Sequence, residues 1–86
     1  MLNEPAQFPT WSEWRPVAIR IARTIRAADP DSLVIVPFEG WATDGRAASK
    51  DPITELPIDL YDGHAYVNPT ELSLRFAPPI QSGLPV

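Results

Sequence analysis

The run Leu33-Val34-Ile35-Val36 contains no polar residue, is β-branched at three of its four positions and is closed by Pro37. It reads as a fully buried strand. Such a strand needs cover on both faces, as in a parallel sheet inside an α/β layer structure. The stretch before it has a helical pattern and the stretch after it leads to a second strand, so local β-α-β order is the expected architecture.

Upstream, Trp11, Trp14, Ala18, Ile21, Ile25 and Ala28 recur at spacings of three and four, and Val17 and Ala22 widen that stripe. Thr10-Trp11-Ser12-Glu13 has the form of a capping box. Pro16 inside a helix would lose a hydrogen bond and clash with the carbonyl of Ser12. The expected division is therefore one turn at 10 to 14 and a main helix with Pro16 at its first position. Arg20, Arg23 and Arg26 follow at i,i+3 and read as a solvated face. Pro30 disfavours helical geometry at Asp29, so the helix ends there and turns toward the strand. The opening residues, Met1-Leu2 and then Asn3-Glu4-Pro5, fit either the end of a strand or a frayed terminus.

Downstream, Phe38-Glu39-Gly40-Trp41 leads into a mostly polar stretch from Ala42 to Asp51, with Asp44-Gly45 the expected turn. Trp41, after a strand end, suits either a sugar-stacking platform or a hydrophobic plug under the loop. Asp51-Pro52 opens a short helix over 52 to 56 that Pro57 stops. Residues 58 to 64 read as a strand emerging toward a functional rim. Residues 68 to 86 carry four prolines, too many for a stable third layer. Within them, Thr70 to Phe76 forms one or two helical turns with Leu72 and Phe76 on a common side.

The chain has 86 residues, enough for one small domain with a modest core. Eleven prolines exceed ordinary usage, while four glycines do not. The formal charge of −4 leaves no basic footprint for nucleic acid or an anionic membrane surface. Cysteine is absent, which excludes disulfides and thiolate metal sites. The first residues lack the basic and apolar regions of a signal peptide. No run approaches the roughly 18 apolar residues of a membrane span.

His64 is the single histidine, so no multi-histidine metal cluster is expected. Asp62 and His64 stand at i,i+2 and face the same way on a strand, compatible with a carboxylate orienting an imidazole. A lone histidine satisfied by a neighbour fits the same spacing. Neither a glycine-rich phosphate loop nor a G-x-S-x-G elbow is present. Most carboxylates, such as Asp29, Asp31, Asp44, Asp51 and Asp59, read as caps, turns or solvent-facing groups. Glu4, between Asn3 and Pro5, suits a general acid if a strand end holds it and burial or a second carboxylate raises its pKa. A solvated carboxylate near a loose terminus is the other reading.

Several stretches together resemble glycoside hydrolase family 5, the endoglucanase and mannanase type of (β/α)8 TIM barrel. Leu2-Asn3-Glu4-Pro5 resembles its strand-4 motif, and Ile25-Arg26-Ala27-Ala28-Asp29-Pro30 with Leu33 to Pro37 is similar to its helix 4 and strand 5. Gly40-Trp41 fits the following loop. Tyr61-Asp62-Gly63-His64-Ala65-Tyr66 with Pro69 resembles the strand-6 H-x-Y region. The resemblance covers residues 2 to 69. It implies Glu4 as acid/base, Asn3 as donor to the sugar 2-hydroxyl, His64 and Tyr66 in the active cleft, and Trp41 facing substrate. It implies no cofactor and no metal. The implied substrate is a β-1,4-linked polysaccharide or oligosaccharide, with extracellular action if the parent is secreted.

A retaining glycosidase needs two carboxyl groups about 5 to 5.5 Å apart. The only acidic residue after Asp62 is Glu71, too near Tyr66 in sequence for a crossover helix and another parallel strand. The resemblance implies a nucleophilic Glu from strand 7, after the H-x-Y segment, so that Glu is not expected in this chain, and the isolated chain is expected to be inactive. A full barrel takes about 250 residues. The expectation is an α/β chain forming roughly a third of a barrel, with parallel strands and one clear crossover helix. Residues 1–69 form the barrel-like segment and 70–86 a proline-rich C-terminal tail, and the remainder of the barrel is a partner. The alternative is a non-catalytic carbohydrate- or partner-binding α/β unit, with Trp11, Trp14 and Trp41 supplying aromatic area.

Overall fold

The computed structural model describes residues 10–64 and 68–86. Helix α1 spans Trp11–Ala28 without interruption. Thr10 caps it, its hydroxyl accepting from the Glu13 N–H at 3.4 Å and donating to the Glu13 carboxylate at 3.1 Å. Pro16 lies inside the helix and does not start it. The carbonyl it orphans belongs to Ser12, and both residues are exposed, so the lost bond carries no burial penalty and the helix runs on. The far end closes where the Asp29 N–H reaches the Ile25 carbonyl at 2.8 Å.

Strand β1 is Ile35–Pro37 and strand β2 is Leu60–Asp62, both shorter than the sequence pattern implies. They pair in parallel, with Ile35 opposite Leu60, Val36 opposite Tyr61 and Pro37 opposite Asp62. Full burial of the run is corrected. Val34 and Val36 are 4% and 3% exposed, but Leu33 is 75% and Ile35 37% exposed, and Leu60 beside Ile35 is 43% exposed. The pleat thus gives this small sheet one buried face and one open apolar face.

The link from β1 to β2 is not one helix. It begins with α2, Glu39–Ala42, and α3, Arg46–Lys50, which lie on either side of the expected Asp44-Gly45 turn, so the mostly polar stretch from Ala42 to Asp51 is largely helical. Residues 52 to 56 are not helical. They belong to a return segment whose Ile53, Leu56 and Ile58 pack on the core. Asp59 starts β2 by accepting from the Val34 N–H at 2.7 Å, and Arg26 donates to the same carboxylate at 2.7 Å. Arg26 is therefore a tertiary contact and not part of a merely solvated face.

The expected weak tail is largely helix α4, Pro69–Gln81, capped by Asn68. Leu72 and Phe76 do share its inner side, and Phe76 and Pro79 are buried. Prolines 78 and 79 are tolerated because a freed carbonyl finds another donor. Pro79 has no N–H for Arg75, and the Gly45 N–H takes the Arg75 carbonyl at 3.1 Å. Gly45 has to be small there, since a Cβ would stand 2.7 Å from the Pro79 ring and 2.9 Å from Phe38.

Aromatic rings fill the centre. Phe38, fully buried, stacks on Tyr61 at 5.6 Å and 11° and meets Phe76 at 6.1 Å. Trp11 and Trp14 are 3% and 2% exposed. Their indole N–H groups donate to the carbonyls of Asp51 at 2.7 Å and Pro37 at 2.8 Å. Both are core plugs with satisfied donors, which removes them as an aromatic binding surface.

Arg15 ties the return segment to α1. Its two terminal nitrogens form a bidentate pair with Glu55 at 2.8 and 2.7 Å, and it also donates to the Pro52 carbonyl at 2.9 Å. The guanidinium holds the Glu55 carboxyl at about 2, below its ordinary 4.5. A depressed folded-state pKa gives stability that is present above pH 4.5 and lost as pH falls toward about 2. Urea denaturation across that window is expected to show a loss that Arg15→Met lacks. Equal acid dependence of the two proteins would contradict it.

Candidate functional site

Parallel strands deliver their carboxyl ends to one side, and loops at that side host the chemistry of α/β sheets. Here the two exits are Phe38-Glu39 after β1 and Gly63-His64 after β2. The Phe38 N–H donates to the Asp62 carbonyl at 3.0 Å, so the exits are bound to each other.

The Asp62–His64 spacing produces a contact. Nε2 of His64 lies 2.9 Å from Oδ2 of Asp62, with the imidazole 17% and the carboxylate 39% exposed. The His64 main chain is held as well, its N–H donating to the Ala42 carbonyl at 2.6 Å. Ala42 ends α2 at a φ of 61°, a left-handed conformation costly for alanine, and is fully buried. Backbone strain thus sits where the β1 loop meets the histidine.

Sequence reasoning passed over Glu39. Burial first, and then the charge of Asp44, push its carboxyl pKa up against the opposing effects of the Trp11 N–H and Arg46. Its position two residues after Pro37 was the available signal, because a carboxylate at a strand exit is placed where substrate binds in such sheets. Asp44 faces Glu39 across an isolated antiparallel bridge. Burial pushes the Asp44 carboxyl up, but hydrogen bonds from Arg46 outweigh it and hold the pKa below the ordinary value. The pKa values of two carboxyls facing each other across this bridge are therefore moved in opposite directions, Glu39 up and Asp44 down.

Arg75 of α4 closes this rim by donating to the Thr43 hydroxyl at 3.3 Å and to Glu71 at 3.2 Å. Glu71 is thus engaged in the first turn of a helix and not on a strand. Among the described residues no group of three or more His, Cys, Asp or Glu is arranged to hold a metal. No helix among them is long and apolar enough to cross a membrane.

Of the residues singled out in the sequence, His64 stands at the carboxyl end of β2. Asn3, Glu4 and Tyr66 lie outside the described residues. Trp41 belongs to α2, and its side chain lies outside what is described. Ala42 and Glu39 are the additions, and only the second left a trace in the sequence.

A family model described as Cellulase (glycosyl hydrolase family 5) matches residues 1–77. Endoglucanase Z of Dickeya dadantii (strain 3937) is 38% identical over 73 residues, covering 85% of this chain and 17% of that protein. Endoglucanase N of Pectobacterium atrosepticum is 38% identical over 65 residues, covering 74% of this chain and 14% of that protein. An endoglucanase of Clostridium saccharobutylicum is 34% identical over 74 residues, 85% of this chain and 16% of its own length. The chain thus spans less than a fifth of these curated relatives. No solved structure matches.

Proposed function

Because the chain belongs to the cellulase family, glycosyl hydrolase family 5, we propose that it carries the acid/base part of a retaining β-glycanase site for β-1,4-linked glucan. The observation that carries the reading is that one continuous match, residues 1–77, takes in both the Asn3-Glu4 pair and the His64-x-Tyr66 segment. The parallel pairing of β1 and β2 supports it, since it gives the β1 loop and His64 a common rim.

In this reading Glu4 protonates the leaving glycosidic oxygen as the anomeric C–O bond breaks and a nucleophilic carboxylate bonds to the anomeric carbon. Glu4, now ionised, then takes a proton from the water that displaces that carboxylate. Asn3 donates to the sugar 2-hydroxyl, His64 and Tyr66 line the cleft, and Trp41 stacks on a sugar ring. Glu71, paired with Arg75 on α4, is not the nucleophile. That carboxylate comes from the remainder of a (β/α)8 barrel, a partner for which the open face of Leu33, Ile35 and Leu60 offers apolar surface.

The isolated chain is expected to release no reducing sugar from a soluble β-1,4-glucan. A chimera of Endoglucanase Z in which residues 1–77 replace the matching stretch is expected to do so. A folded but inactive chimera would sink the proposal, and hydrolysis by the isolated chain would overturn the assignment of the nucleophile to another segment.

A further inference from the structure

We propose that Asp62 is a positioning residue that holds the imidazole of His64 in one orientation at the rim, an inference that deepens the glycanase reading and rests on it for its function. Three restraints converge on this pair. Asp62 ends β2 opposite Pro37 and its carbonyl accepts the Phe38 N–H, so the backbone carrying the carboxylate is fixed. Gly63 lies against the Phe76 ring so closely that a Cβ there would collide with Cε1, which ties the turn between the two residues to the aromatic core. His64 itself is bonded through its N–H to the strained Ala42 carbonyl.

With both backbones held, the remaining freedom of His64 is rotation of its side chain, and the 2.9 Å contact from Nε2 to Oδ2 removes it. A carboxylate oxygen accepts, so Nε2 donates in this pair, and whenever the ring is neutral Nδ1 is the acceptor nitrogen. Asp62 thereby sets the ring plane and the tautomer together. A carboxylate in this place is not needed for the strand, whose pairing uses main-chain atoms alone. Its side chain spends its bond on the histidine.

His64 is the single histidine, so the ring spectrum of the nitrogen-15-labelled chain has one source. The wild-type chain is expected to show a bonded Nε2 proton in exchange with water. In Asp62→Ala that proton is expected to exchange about tenfold faster at unchanged far-ultraviolet circular dichroism. Unchanged exchange in Asp62→Ala, or no bonded Nε2 proton in the wild type, would overturn the proposal. If Asp62→Ala fails to fold, Asp62→Asn decides, because it keeps an acceptor oxygen but loses the charge: a displaced Nε2 resonance supports the proposal and an unmoved one refutes it. The readout needs no sugar, so its failure is separate from that of the glycanase reading, which the activity of the chimera decides.

Discussion

Phe38→Ala is expected to remove about 3 to 5 kcal/mol of folding free energy, the range for truncating a buried phenylalanine. Stability of roughly 0.05 to 0.15 kcal/mol per residue gives a chain of 86 residues about 4 to 13 kcal/mol in all. The substitution would therefore remove about a quarter of that stability at the upper end of the range and all of it at the lower end. The size of the effect follows from what surrounds the ring. Phe38 stacks on Tyr61, abuts Phe76, and presses on the bare Cα of Gly45. These neighbours cannot collapse into the space. Tyr61 is tethered through its hydroxyl to the Ile53 N–H at 3.1 Å and through its own N–H to the Pro85 carbonyl, and Gly45 is bonded to α4. Urea denaturation followed by tryptophan fluorescence measures the loss. Leu33→Ala is the control, since that side chain is 75% exposed and should change stability by no more than about 0.5 kcal/mol. Comparable small losses for both substitutions would mean that the aromatic centre is not what holds the strands, α3 and α4 together.

The contrast between Leu33 and Phe38 also marks what the sequence could and could not tell. An unbroken apolar run announces a strand, but it cannot say whether cover exists on one face or two. Here the open face of Leu33 and Ile35 is a property of the neighbours, not of the run. The stripe on α1 was legible because its period is local. Ile19, 5% exposed, escaped it because a helix packed by both a sheet and a return segment buries a wider arc than one stripe. Prolines misled twice for one reason. Pro16 and Pro79 each cost a hydrogen bond, and the sequence does not show that the first lies on an exposed turn of α1 and that Gly45 serves the carbonyl freed by the second. At the rim, Asp62 and His64 meet as their i,i+2 spacing suggested, although β2 ends at Asp62 and His64 lies beyond the strand, after Gly63. The left-handed turn at Ala42 left no such mark, because alanine carries no preference for it.

Glu4→Gln, made in the active chimera with Endoglucanase Z, is expected to lower kcat on unactivated glucan by about 10²- to 10⁴-fold, the contribution of a positioned general acid. Glutamine keeps the shape and an acceptor oxygen but has no proton to give, so the loss should fall on the chemical step and leave binding of the polysaccharide nearly unchanged. The leaving group then separates this role from a structural one. An aryl glycoside that departs as a stable phenolate needs little protonation, so its glycosylation step should survive while the second step slows for want of a base to activate water. The covalent intermediate should accumulate with such a substrate, giving a burst of phenolate and a low apparent KM. Asn3→Ala is expected to differ in kind, weakening both steps through the lost 2-hydroxyl contact without a burst. If Glu4→Gln slowed aryl glycosides and glucan equally and produced no burst, Glu4 would not be the proton donor. Glu39, whose carboxyl pKa burial raises at the exit of β1, would then be the next residue to test.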